Sequence, residues 1–245
     1  MARIISFGDS WAQGCGLENM KTECYTGQLS DRCNIKSINW GSGGNSFKVI
    51  TSQILQHYEY EQNDIVLLCL PPDIRDMGEN SNGNFIPLTI STKQDQNDQK
   101  DKFVSQQLKY FTEIMTQFQN WSQYHLYLNL FAVQSYFKSL NIPYIFFTNY
   151  GYIDWGFNFN AHIDRSHLLS KYSLTTLLGG KDMNQFPNYY NDHDGFKMEW
   201  LPKLSKNFIP FDSHPSKKGH KIIADTIYNH KMFQQWLMST TNTEN

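Results

Sequence analysis

The run Asp64-Ile65-Val66-Leu67-Leu68-Cys69-Leu70 is apolar at every position after the first and is halted by Pro71-Pro72. A strand without apolar–polar alternation has both faces covered, which places it in a parallel sheet between helices. Proline cannot donate to the ladder, so the pair ends the strand sharply. Residues 3–7, apolar but for Arg3 and Ser6, and Tyr144–Thr148, apolar up to its last residue, read as strands of the same kind, and Ile35–Asn39 and Phe208–Phe211 read as two more strands. Helical stretches fall between them: residues 24–33, a segment from the Gly-rich turn to about Tyr58, 102–140 with a break near 120–124, some helix near 161–178, and Ser216 to about Met238. This alternation predicts an α/β protein, a three-layer α/β/α sandwich around a parallel sheet of about five strands. One domain is expected over residues 1–238, with a polar surface excursion at about 76–101 and a frayed tail at 239–245.

Composition narrows the partners. The chain has 245 residues, 21 basic and 23 acidic, and a net charge of −2. Its charges are mixed along the sequence, so the basic stripe that nucleic-acid binding needs is missing. No apolar run is long enough to span a membrane. The first strand begins almost at Met1, leaving no room for a removable leader, so an intracellular (cytoplasmic) protein is expected. Abundant Asn, Gln, Tyr, Phe and Lys with little Ala suggests an A+T-rich genome, such as that of a virus or phage. Four cysteines (Cys15, Cys24, Cys33, Cys69) lack C-x-x-C spacing and are expected to be thiols.

The chemistry-bearing residues lie at strand ends. Gly8-Asp9-Ser10 follows the first strand directly, and Asp212-Ser213-His214-Pro215 comes some 200 residues later. In open α/β sheets ligands bind at the carboxyl ends of the strands, where Ser10 stands. A serine, a histidine and an aspartate are the parts of a hydrolytic triad. Asp212 and His214, two apart in an extended segment, project from one face and can pair. Asn39-Trp40-Gly41-Ser42-Gly43-Gly44-Asn45-Ser46 is a Gly-rich turn without a phosphate-loop pattern. A metal site of His214, His220 and Asp212 lacks a convincing fourth ligand, and His220, inside the last helix, reads as structural. Asn191-Asp192-His193-Asp194-Gly195 reads as a polar turn, since the rest of a calcium loop does not follow. Trp11, Tyr150, Tyr152, Trp155 and Phe157 follow predicted strand ends, as pocket walls or as core.

Taken together, these pieces resemble the SGNH/GDSL hydrolase superfamily, best over residues 3–74 and 206–230. The resemblance implies that Ser10 is the nucleophile of the first block and that the Gly44 main-chain N–H, from the second, serves the oxyanion hole beside that of Ser10. It implies His214 as general base from the fifth block, oriented by Asp212. The family usually leaves two residues between this acid and base, and here there is one. The third block, normally Gly-x-Asn-Asp, is Leu70-Pro71-Pro72-Asp73 in this chain, so Pro72 stands in place of the oxyanion asparagine. Proline offers neither an amide side chain nor an N–H. Losing one such donor costs about 10²–10³ in rate. Asn45, Arg75 and Asn149, at predicted strand ends, are the candidates to donate instead or to contact substrate. The expectation is a serine esterase without metal or organic cofactor, acting on a short-chain ester, with an O-acetylated carbohydrate preferred. Two alternatives stand beside it: a non-catalytic relative binding a glycan or protein in the cleft, and an acyltransferase.

Overall fold

The computed structural model describes residues 2–56, 59–71, 75–79, 85–89, 106–107, 109–110, 121–149, 162–171, 173–178 and 214–241. Strand β3 (Asp64–Leu70) has the bounds expected from sequence and is buried at every position. Its residues divide by pleat. Ile65, Leu67 and Cys69 join one core cluster, and Val66, Leu68 and Leu70 join the other. Each cluster collects the helices of its own side, so the sheet is the middle layer of three.

Four strands pair in parallel in the order β2-β1-β3-β6, where β1 is Arg3–Phe7, β2 Lys36–Asn39 and β6 Tyr144–Thr148. The register sets Ile5 against Val66, and Val66 against Tyr144. One face is covered by α3 (Tyr25–Cys33), α7 (Lys217–Tyr228) and α8 (Lys231–Thr241). The other carries α4 (Phe47–Gln56) and α5 (Trp121–Ser139). Short helices α1 (Ser10–Gln13), α2 (Met20–Glu23) and α6 (Leu174–Leu177) lie in the connections. The α/β/α architecture is as expected. Its described sheet has four strands, and the expected fifth, Phe208–Phe211, lies outside the described residues.

At the amino end of the sheet Arg3 and Asp64 are register partners. The guanidinium donates from Nε to Oδ1 at 2.9 Å and from Nη2 to Oδ2 at 2.7 Å, and it also donates to the Glu59 carbonyl. Asp64 is fully buried and takes the Glu61 N–H on Oδ2 at 2.7 Å.

Three features depart from the sequence reading. The polar excursion opens with an antiparallel ribbon, β4 (Arg75–Glu79) against β5 (Phe85–Thr89), beside α4. Cross-strand pairing makes strands of β4 residues that show no apolar alternation of their own. The expected final helix is two, broken at Asn229-His230, where the Asn229 N–H returns to the Asp225 carbonyl. The next N–H, of His230, turns to Ile227 O at 3.0 Å, an i→i−3 bond that tightens the chain at the end of the helix. The turn lets Phe233 and Trp236 of α8 reach the core, and the Trp236 indole N–H donates to Asn63 O at 2.9 Å. Lastly, Ser239, Thr240 and Thr241, expected in a frayed tail, continue α8. The Ser239 hydroxyl donates to Trp236 O at 2.7 Å and that of Thr240 to Leu237 O at 2.9 Å.

Among the described residues no helix is long and apolar enough to cross a membrane. The four cysteines form no disulfide.

Candidate functional site

In the strand order β2-β1-β3-β6, the chain leaves β1 toward β2 and then crosses back to β3 on the other side. Connections diverge there, and at the carboxyl end of such a pair of strands an open α/β sheet has its binding crevice. The Gly8-Asp9-Ser10 turn occupies that point.

Gly8 is where the turn and β3 touch. A Cβ on Gly8 would lie 2.6 Å from Ala12 Cβ, 2.8 Å from Cys69 Cβ and 3.1 Å from the Cys69 carbonyl. Gly8→Ala is therefore expected to cost about 1–3 kcal/mol by overpacking and to push the Ser10 turn off β3. A thermal melt checks the first effect and the turnover of any active ester the second. Asp9 is the N-cap of α1, its carboxylate accepting the Trp11 N–H at 3.0 Å. Ser10 is the first residue of α1 and only 7% exposed. Among the described residues neither its hydroxyl nor its N–H makes a hydrogen bond. Trp11, weighed above as a pocket wall, is 1% exposed and belongs to the core.

The Gly-rich turn after β2 is fastened to this corner. Trp40 N–H donates to Ser6 O at 2.7 Å and Ser42 N–H to Gly8 O at 3.2 Å. Gly43 N–H donates to Gln13 Oε1 at 2.8 Å. Asn39 locks the turn from its root: its amide donates to Ala12 O at 2.7 Å and accepts the Gly41 N–H at 2.9 Å. A Cβ built on Gly43 would lie 4.0 Å from Ser10 Cβ, so this backbone sits beside the serine. Gly44 has φ of 79°, a left-handed conformation that glycine adopts freely. Its N–H is spent on no hydrogen bond among the described residues.

The other candidates fall into place differently. Asn45 donates to Gly8 O at 3.1 Å and to Gln53 Oε1 at 3.4 Å, so both hydrogens of its amide are engaged in holding the turn. Asn149 is fully buried, with its amide on Asp9 and Cys69. Neither supplies the donor that Pro72 lacks. Arg75 opens β4, its backbone in register with Thr89. Asp212, Pro72, Asp73, Tyr150, Tyr152, Trp155, Phe157 and the Asn191–Gly195 turn lie outside the described residues.

His214 is half-buried, three residues ahead of α7, whose N-cap Ser216 accepts the Gly219 N–H at 3.2 Å. Helices α7 and α3 run side by side. Gln28 donates to the Lys217 carbonyl at 3.3 Å near their amino ends, and Arg32 meets Asp225 at 2.8 Å further along. Since α3 starts at the carboxyl side of the sheet, His214 lies on that side too, the side of Ser10.

His220 links the two helices, its Nδ1 accepting the Tyr25 N–H at 3.2 Å. That bond leaves the ring hydrogen on Nε2, and the ring stacks on Tyr25 at 5.9 Å between centroids. The Tyr25 hydroxyl in turn meets Ser6 Oγ at 2.9 Å. Burial first, and His214 second, push the His220 pKa down to about 3. An unfolded histidine titrates near 6.5. Between these values the unfolded chain takes up a proton that the folded chain refuses, so stability falls as pH drops through this window. His220 should contribute a slope of about 1.4 kcal/mol per pH unit below pH 6.5. Urea unfolding at several pH values, wild type beside His220→Gln, isolates it as the difference in slope.

No family model matches the chain, and no curated protein matches it. Solved structures do. A lipolytic protein of the G-D-S-L family from Veillonella parvula is 11% identical at a TM-score of 0.45, covering 93% of this chain and 96% of its own. A psychrotrophic esterase from a Pseudoalteromonas species, inhibited by monoethylphosphonate, is 16% identical at 0.45 over 96% of this chain and 98% of its own. A catalytic mutant of an acetylxylan esterase from Geobacillus stearothermophilus is 13% identical at 0.45 over 93% of each chain. Such identities carry no residue across. What Ser10 and His214 can do rests on their own surroundings.

Proposed function

We propose that the protein is a serine esterase. Ser10 Oγ attacks the ester carbonyl while His214 takes its proton, and Asp212 holds the imidazole in the right tautomer. The main-chain N–H groups of Ser10 and Gly44 receive the oxyanion. The alcohol leaves with the proton from His214, and water, activated by the same base, then hydrolyses the acyl-enzyme. The observation that carries this reading is the placement of Ser10. It stands at the topological switch point with its hydroxyl and N–H uncommitted among the described residues, while the turns around it are stapled together. The N–H is open because Ser10 begins a helix, and the unbonded hydroxyl beside it is the group that suits a nucleophile.

The substrate class proposed is a short-chain ester, with an acetylated carbohydrate first among those to try. Trp40, 42% exposed at the root of the Gly-rich turn, offers a flat ring of the kind that sugars stack on. Labelling with a fluorophosphonate tests the nucleophile directly. The adduct is expected on the peptide holding Ser10 and is expected to vanish in Ser10→Ala. Folded wild type that takes no label would favour a binding domain, the reading that Pro72 supports. Acylated product formed when alcohol acceptors are supplied would point to acyl transfer.

A further inference from the structure

We infer that Asn149 is a positioning residue for the nucleophile, holding the turn that bears Ser10 through the carboxylate of Asp9. This rests on the esterase reading of Ser10. Asn149 follows β6, and β3 lies between that strand and β1. Its side chain spans the gap across the end of β3. The Cys69 thiol donates to Asn149 Oδ1 at 2.6 Å, and Asn149 Nδ2 donates to Asp9 Oδ1 at 2.7 Å. That same Asp9 oxygen takes the Trp11 N–H, one residue past Ser10. The Asn149 main chain is pinned as well: its N–H donates to Leu70 O at 3.2 Å, and its carbonyl accepts the Thr175 N–H at 3.0 Å and hydroxyl at 2.7 Å.

Chemistry selects an amide here. A carboxylate offers only acceptors, so the group facing Asp9 must donate, while the group facing a thiol hydrogen is best an acceptor. An asparagine has one end of each kind, and the two neighbours fix which way it lies. Asn149, Asp9 and Cys69 are all fully buried, so Asn149 does not touch substrate and acts through Asp9. Without it the buried carboxylate is short of a donor and the first turn of α1 can shift. A misplacement of about 1 Å costs about 10²-fold in rate.

The test compares Asn149→Ala, Asn149→Asp and Cys69→Ser with wild type and Ser10→Ala on p-nitrophenyl acetate. Competent sites are counted by fluorophosphonate titration, so a loss of folded protein is separated from a loss of rate. Asn149→Ala should lower kcat per competent site about 10²-fold with KM within about threefold. Cys69→Ser keeps a donor and should stay within about threefold of wild type. The carboxyl introduced by Asn149→Asp faces Asp9 and Cys69, with Tyr25 of α3 within electrostatic reach of both, and Thr175 of α6 adds only a neutral hydroxyl. Repulsion from Asp9 raises that carboxyl's pKa, and its protonated form regains a donor. The ratio of Asn149→Asp to wild-type kcat should therefore rise as pH falls from about 8 to about 5.

A folded Asn149→Ala with kcat per site within about threefold of wild type overturns the inference. So does a flat pH ratio, or failure of both Asn149 variants to fold, which would assign the residue to stability alone. If wild type turns over no faster than Ser10→Ala, the esterase reading itself fails and this inference falls with it.

Discussion

Ser10→Ala is expected to lower kcat for p-nitrophenyl acetate by at least about three orders of magnitude, and His214→Ala by a similar factor. Three orders correspond to about 4 kcal/mol of lost transition-state stabilisation. The double variant should be no slower than either single one, because members of a triad act as a unit. KM should move little, since the lost groups act on the reacting bond. Circular dichroism and a melt establish that the variants fold. Ser10 is 7% exposed and packs by its Cβ near Gly43, so its truncation removes one hydroxyl and leaves the turn in place. Wild type no faster than these folded variants would sink the esterase reading and shift attention to ligand binding in the same crevice. Measurable turnover would also show that the chain does without the asparagine that Pro72 displaces. Asn45 and Asn149 are committed elsewhere, so the N–H groups of Ser10 and Gly44 are then the first donors to examine.

Asp64→Ala is expected to unfold the protein far more readily while sparing kcat. The pair it forms with Arg3 is bidentate and almost wholly removed from water, with Arg3 at 9% exposure and Asp64 at 0%. Removing one partner of a buried pair leaves an uncompensated charge, at a cost of about 3–5 kcal/mol. For a chain of this size that corresponds to a melting temperature lower by roughly 6–20 °C. Asp64 holds the Arg3 guanidinium above its usual range; that support goes with the partner, but a guanidinium stays charged in proteins even without it. Glu61, at 3.1 Å from Nη1 but about half exposed, gives only partial relief. The pair lies at the amino end of β1 and β3, and Ser10 lies beyond their carboxyl ends. Melts and kinetics on one preparation decide the matter. An unchanged melting temperature would mean that Arg3 finds water or Glu61 at no cost.

Sequence legibility followed burial. β3 and β6 were readable to the residue because both faces of those strands are covered and the apolar run is unbroken. β1 was equally plain. The hairpin β4–β5 was not, since Arg75-Asp76-Met77-Gly78-Glu79 becomes a strand only by pairing with Phe85–Thr89. The break in the last helix was hidden because residues on both sides of Asn229 carry helical periodicity, while the turn there serves contacts distant in sequence, such as that of Trp236 with Asn63. At the site, Ser10, the Gly-rich turn and His214 announced themselves by residue type and by position after strands. Asn149 did so only in part. Its place at a strand end was visible, but its work depends on β3 lying between β6 and β1, and strand order is not written in local pattern. Asp9 caps α1, and the same carboxylate also receives Asn149.

The bond between Asn149 and Asp9 joins residues 140 apart. During synthesis the turn carrying Ser10 leaves the ribosome long before the residue that fastens it. At about 5–20 residues per second, that interval is roughly 7–28 s. Through it β1 can find β2 and β3, yet the corner of the sheet that holds the serine stays unfinished. A nascent chain stalled before β6 should therefore carry a poorly placed nucleophile, and ester cleavage waits longer still, for His214, 65 residues beyond Asn149. The serine is thus set in its final geometry before the base that activates it has been made.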